Sequence, residues 1–184
     1  MSRDDLSLFS YEILGLVGRG GASAHDLRLM ERKGRIVDWA GESQYYVEPK
    51  RLARLGYLEA RKEPGKTRER TVYTLTEQGV DALRRWGRTP LRFTPLKTEV
   101  ASRLLAADIV GDEATRESFA TLREDLADLR ERVAEMTASA PTLPHRTTYL
   151  LLAARFFGRV IDVYEELVQD VERELAPKRR SRRT

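Results

Sequence analysis

The stretch SQYYVEPKRLARLGYLEARKEPGKTRERTVYTLTEQG, residues 43–79, decides the fold. Val47, Leu52 and Leu55 fall on one side of a helix with Lys50, Arg51 and Arg54 interleaved, and Gly56 stands where a helix ends. Tyr57, Leu58 and Ala60 then lead into a Pro64-Gly65 turn signal, after which Val72, Tyr73 and Leu75 resume a run of β-formers. The pattern predicts a basic amphipathic helix and an antiparallel hairpin with a basic tip. Thr76 follows as the cap of a further helix carrying Val80, Leu83 and Trp86.

Upstream, Leu6, Phe9, Ile13, Leu14, Leu16 and Val17 recur at helical spacing and predict a helix over about 5–18, stopped by Gly18, Gly20 and Gly21. Ser23 with Asp26 three residues on has the form of a capping box, and Leu27 and Met30 supply the buried face of a short second helix ending near Gly34. The order helix, helix, helix, hairpin, helix is that of a winged helix-turn-helix.

Downstream, residues 91–95 form a linker, and Thr94-Pro95 is a good helix start because proline at the first helical position loses no intrahelical bond. Phe119, Leu122, Leu126, Leu129, Val133 and Met136 alternate spacings of three and four, a coiled-coil type seam on one helix. A final helix over 142–176 carries three columns spaced by seven: Leu150, Phe157, Tyr164, Val171; Ala153, Val160, Leu167; and Ala154, Ile161, Val168, Leu175. So wide a stripe needs more than one neighbour, and a second chain is the expected cover. The expected fold class is mainly α: a winged helix-turn-helix domain over 1–90, then an α-helical dimerisation domain over 95–176. A basic tail, 177–184, has nothing to bury and is expected to be disordered.

With 41% hydrophobic and 34% charged residues among 184, the chain has enough apolar side chain to fold. It contains no cysteine, which excludes disulfides, thiolate zinc sites and cysteine nucleophiles. No apolar run approaches the roughly 20 residues of a membrane span, and Asp4 and Asp5 stand where a signal peptide carries positive charge. A soluble, cytoplasmic protein without membrane association is the expectation. The net charge of +4 is unevenly spread: residues 1–96 hold 18 basic and 13 acidic groups, residues 97–176 hold 10 and 16, and the last eight hold five basic and none acidic. The basic N-terminal half is the natural face for a polyanion.

Within it, residues 50–70 contain eight basic and three acidic side chains. A basic run alone is ordinarily a solvated face. Here it falls on the helix and hairpin that a winged domain presents to duplex DNA. The third helix, about 42–55, is therefore the candidate recognition helix. Ser43, Gln44 and Tyr45 are placed to reach base edges, Tyr46, Lys50, Arg51 and Arg54 to meet phosphates, and its apolar residues to face the core. Lys66, Arg68 and Arg70 add the wing. Leu150, Phe157, Val160, Ile161, Tyr164, Leu167, Val168 and Val171 are the candidate homodimer interface. The alternative is a helical protein-interaction module whose winged domain serves protein contacts.

Other signals carry less. GRGGAS at 18–23 lacks the lysine and spacing of a phosphate loop, and His25 and His145 have no companions at metal-ligand spacing. No nucleophile has a base beside it, so neither an enzyme, a metal nor a cofactor is expected. Trp39, Trp86, Tyr149, Phe156 and Phe157 are open to two readings, core packing or the lining of a ligand pocket.

The chain resembles the PadR-like transcriptional regulators, whose winged domain is similar to the stretch from Phe9 to Trp86. YEILGL at 11–16, SQYYVEPKRLARLGYL at 43–58 and YTLTEQG at 73–79 carry the resemblance. In the third helix Tyr46, Lys50, Arg51, Leu52 and Gly56 match the family frame. Val47 instead takes the usual proline place and Pro49 falls where leucine is common. A helix beginning near Tyr46 would hold Pro49 in its tolerant first turn and leave Ser43 to Tyr45 in the preceding turn. The resemblance implies that the C-terminal helices of two subunits interlock, that the dimer binds a pseudo-palindromic operator as a repressor, and that a small-molecule effector of unidentified structure is a further partner.

Overall fold

The computed structural model describes residues 6–33, 41–64, 69–93 and 98–177. The chain divides into two compact units, Met1–Arg92 and Phe93–Thr184. Trp39, Lys66, Arg68, the Thr94-Pro95 helix start and the tail past residue 177 lie outside the described residues.

In the first unit, α1 (Leu8–Val17) starts on a reciprocal cap in which the Ser7 hydroxyl accepts from the Ser10 amide while Ser10 Oγ accepts from the Ser7 amide. A two-residue strand, β1 (Ala22–Ser23), precedes α2 (Ala24–Lys33). The Ser23 amide donates to Asp26 Oδ2 at 2.9 Å and the Asp26 amide to Ser23 Oγ at 3.2 Å, the capping box read from the sequence. Next come α3 (Gln44–Arg54), β2 (Leu58–Glu63), β3 (Arg70–Leu75) and α4 (Glu77–Gly87). The sheet runs β1-β3-β2, antiparallel throughout, with Leu58 opposite Leu75, Glu63 opposite Arg70, and Ala22 opposite Tyr73. The expected hairpin is thus joined by a third strand, too short to show alternation in sequence. Ile13, Leu14, Val17, Leu27, Tyr45, Leu52, Tyr57, Tyr73 and Ala82 form the core among these elements.

The wing is fixed to α3 and α4 at one joint. Gly56 adopts φ +83°, which ends α3 and lets the Tyr57 amide bond back to the Leu52 carbonyl at 3.0 Å. Thr76 caps α4 by accepting from the Gly79 amide at 3.1 Å, and its hydroxyl donates to the Gly56 carbonyl at 2.6 Å. A Cβ on Gly79 would fall well inside contact distance of the Tyr57 carbonyl oxygen, so only glycine lets α4 lie this close.

The second unit is helical among the described residues: α5 (Glu99–Leu105), α6 (Ala107–Val110), α7 (Asp112–Ala120), α8 (Leu122–Ser139), a 3₁₀ turn at Ala140–Thr142, and α9 (Thr147–Glu174). The coiled-coil seam read as one helix is divided at Thr121 between α7 and α8, yet Phe119 and Leu126 on it are buried. At 28 residues α9 is about 42 Å long, and α8 packs along it. Arg123 pairs with Glu172, and Arg130 with both Asp162 and Glu165, the pairing of two antiparallel helices. Ala154, Ile161, Val168 and Val171 are buried inside this single chain. That corrects one expectation: Ile161, Val168 and Val171 need no second chain to cover them.

Gly79→Ala should lower the unfolding midpoint of the first unit in urea, equivalent to about 2 kcal/mol or more, through the clash with Tyr57. Gly15→Ala, whose Cβ would meet open space within α1, should be neutral or stabilising by about 0.5–1 kcal/mol. Equal effects of the two substitutions would show that the Tyr57 approach carries no such constraint.

Candidate nucleic-acid interface

The rotation of α3 about its own axis determines which side chains meet solvent. Tyr45, Glu48, Pro49 and Leu52, at spacings of three and four, turn inward. Ser43, Gln44, Tyr46, Val47, Lys50 and Arg54 turn outward. The helix begins at Gln44 after three tightened turns, in which the amides of Gln44, Tyr45 and Tyr46 bond to the carbonyls of Gly41, Glu42 and Ser43. Ser43 itself has helical φ and ψ, and its hydroxyl makes no cap bond. Pro49 therefore stands in the second turn and not the first, where it deprives the ladder of one amide donor.

Two expectations for this helix are corrected. Tyr45 does not reach out to bases: it is fully buried, its ring edge-on to Phe9 at 5.1 Å between centroids. Nor do all its apolar residues face the core, since Val47 and Leu55 are exposed.

Glu48 sets this rotation. Its carboxylate lies buried beneath α3 and accepts the Ser10 hydroxyl of α1 at 2.7 Å and two bonds from Arg51, Nε at 2.8 Å and Nη2 at 2.7 Å. Arg51 also reaches Ser10 Oγ at 3.1 Å. Burial pushes the Glu48 carboxyl up, but the bonds from Arg51 and Ser10 and the nearby positive charge outweigh it and hold the group below its ordinary range. Arg51, expected at a phosphate, is engaged by this network, which leaves Lys50 and Arg54 as the α3 cations without an ion pair among the described residues.

The start of α3 is tied to α2 by Arg28, which pairs with Glu42, and the neighbouring Tyr46 hydroxyl and Glu42 carboxylate hold its guanidinium above its ordinary pKa. Arg70 at the base of the wing lies 3.7 Å from Asp26 and 3.6 Å from Glu63. For Asp26, burial is again outweighed, here by the Ser23 bonds and the charges of Arg70 and His25, and its carboxyl is held low. Further along the hairpin, Arg61 pairs with Glu59 and Lys62 with Glu69, both exposed.

Of the aromatic residues left open by the sequence, Trp86 stacks on Tyr11 with centroids 4.9 Å apart and planes at 8°, while Tyr149 and Phe156 are exposed on α9. In the second unit a groove of about 600 Å³ opens beside the Thr98–Tyr164 hydroxyl pair, bordered by Arg103, Ser118 and Phe119. Among the described residues no group of three His, Asp or Glu is arranged to hold a metal ion, and no helix is long and apolar enough to cross a membrane.

A helix-turn-helix with a two-stranded wing and a separate helical unit is the architecture of winged-helix regulators. More narrowly, the chain has the fold of the PadR-like transcriptional regulators. It is similar to Bacillus subtilis PadR in complex with operator DNA, at 21% identity and a TM-score of 0.65, over 90% of this chain and 99% of that one. Against the Vibrio cholerae virulence activator AphA the values are 22%, 0.68, 90% and 96%. Against a PadR-like transcriptional regulator from Bacillus cereus they are 13%, 0.67, 90% and 98%. No protein-family model and no curated protein matches the sequence.

Because the folded Glu48 carboxyl titrates below its ordinary value of 4.5, its stabilisation is complete above that pH and is lost as pH falls through the folded value. Glu48→Gln should therefore cost about 2 kcal/mol at pH 7, and the gap to the native chain should narrow as urea midpoints are followed from pH 5 to pH 3. A gap independent of pH would refute the ionised network.

Proposed function

We propose that the chain is a DNA-binding transcriptional regulator that acts as a homodimer, each α3 entering the major groove of one half-site of a pseudo-palindromic operator. The observation that carries this reading is the outward row of α3. Ser43 and Gln44 lie at its start and Lys50 and Arg54 beyond, polar groups with no ion-pair partner among the described residues, on the helix that a winged domain offers to duplex DNA. Arg70, Lys66 and Arg68 of the wing belong to the same proposal, since exposed pairs such as Arg70 with Glu63 are worth at most about 1 kcal/mol and yield to phosphate. Repression by occupying a promoter is the proposed output, and the solved operator complex of the similarly folded PadR supports it.

For the dimer contact we assign the outward side of α9. Tyr149, Phe156 and Val163, spaced by seven, are 72%, 63% and 61% exposed, with Leu152 beside them. Val160 and Leu167 border this stripe, and Leu150, Phe157 and Tyr164 lie between it and the face that packs on α8. A small-molecule effector is part of the proposal, supported by the solved complex of PadR with p-coumaric acid, and the groove beside Thr98 and Tyr164 is its proposed seat.

Selection from random duplex DNA should enrich one sequence, and affinity for it should fall steeply with salt. Lys50→Ala and Arg54→Ala should weaken binding to all duplexes alike and each reduce the salt slope by about 1, whereas Gln44→Ala should change which sequence is preferred. Failure to enrich any sequence would leave the protein-interaction module as the better reading.

Phe156→Glu should give a folded monomer by analytical ultracentrifugation, because it places charge on the outward stripe. Ile161→Glu should instead unfold the second unit, whose own core it occupies. A dimer that persists in the Phe156 variant moves the contact off this face.

A further inference from the structure

One side chain on the outward row of α3 does not fit its company. Val47 is 52% exposed, and its neighbours on that face are polar: Ser43 one turn before, Gln44 three residues before, Lys50 three after and Arg54 two turns on. It is not part of the core that Tyr45 and Leu52 enter. A β-branched residue gives the helix nothing there, since alanine would favour it by about half a kcal/mol. Of the other exposed hydrophobic residues of this segment, Tyr46 carries a polar hydroxyl and Leu55 lies past the end of the helix, away from its start.

We propose that Val47 reads the 5-methyl group of a thymine in each half-site, an inference that rests on the DNA-binding reading above. Among the base edges of the major groove the thymine methyl is the only apolar group, so an apolar side chain centred on the reading face has one complementary target. Valine suits it: its two methyl groups are held in one strongly preferred helical rotamer, so the contact orders almost nothing further. Gln44 deepens the match. Its amide supplies the donor and acceptor pair that fits adenine N6 and N7, and it lies one turn from Val47 on the same face. Together they select a step containing A·T pairs, with Gln44 discriminating by hydrogen bonds and Val47 by the methyl.

The test uses the full-length chain and the duplex selected for it. Each thymine of the site is replaced in turn by deoxyuridine, which removes only the methyl group. At one position per half-site the native chain should bind about fourfold more weakly, the loss expected for one apolar carbon left uncovered. Val47→Ala should bind the thymine and deoxyuridine duplexes at that position alike. Its thermal midpoint should equal the native value or lie slightly above it, since the side chain is outside the core and alanine favours the helix. The inference is overturned if the native chain is indifferent to deoxyuridine at every position, or if Val47→Ala keeps the same discrimination. Those results leave the regulator reading standing, whereas failure to select any duplex removes both.

Discussion

The arrangement of the first unit depends on one buried carboxylate. Glu48 lies beneath α3, held by Ser10 of α1 and by Arg51 one turn along its own helix. A helix packed only by apolar contact can rotate by a fraction of a turn at modest cost, because apolar attraction has no direction. A buried charge has no such tolerance. Its bonds are directional, and leaving it unmatched costs several kcal/mol. With Glu48 inward, the helical period places Tyr45 and Leu52 in the core and Ser43, Val47, Lys50 and Arg54 outside. The outward face of α3 is thus the geometric complement of an ion pair on its hidden side.

The same logic extends to the wing. Its strands would be a marginal ribbon alone. Here β3 is paired on both edges, by β2 and by the two residues of β1, and the base of the hairpin is pinned where Thr76 bonds Gly56 and Gly79 yields space to the Tyr57 carbonyl. Asp26 caps α2 and also faces Arg70, so helix start and wing base share one carboxylate. Placement of this kind holds α3 and the wing in fixed relation, which is what the proposed simultaneous contact with a groove and its flanking phosphates requires.

Much of this was legible in the sequence because it is written in local chemistry. The Ser23-Asp26 cap, the Gly56 stop, the Thr76 cap and the hairpin around Pro64-Gly65 each need only neighbouring residues. What was not legible depends on distant partners. Tyr45 and Glu48 look polar enough for a surface, and only Phe9 and Ser10, more than thirty residues upstream, make an interior for them. Conversely Val47 looks like core by its type and is outside by its phase relative to Leu52. The division at Thr121 was missed because the seam spacing runs on through it. In α9 the columns spaced by seven were visible, but spacing alone does not say whether a column meets α8 or a second subunit. In the folded chain α8 packs along α9 and the Ile161 and Val168 column is buried within the chain, with Arg123 and Arg130 pairing to Glu172, Asp162 and Glu165 alongside.

Charge counted along the sequence marks residues 50–70 as basic but does not say which of those cations are already engaged. Of the eight cations in residues 50–70, Arg51 neutralises a buried carboxylate, and Arg61, Lys62 and Arg70 each stand within ion-pair distance of an acid. Lys66 and Arg68 lie outside the described residues. Lys50 and Arg54 are what α3 itself offers to a polyanion, two charges rather than the three its sequence counts. The affinity available from this helix is correspondingly smaller than composition suggests, because each phosphate neutralised contributes its own increment of released counterion. In the proposed complex a helix with few phosphate contacts must draw more of its affinity from base edges, and the outward row at the start of α3 carries the uncharged groups Ser43, Gln44, Tyr46 and Val47 for that.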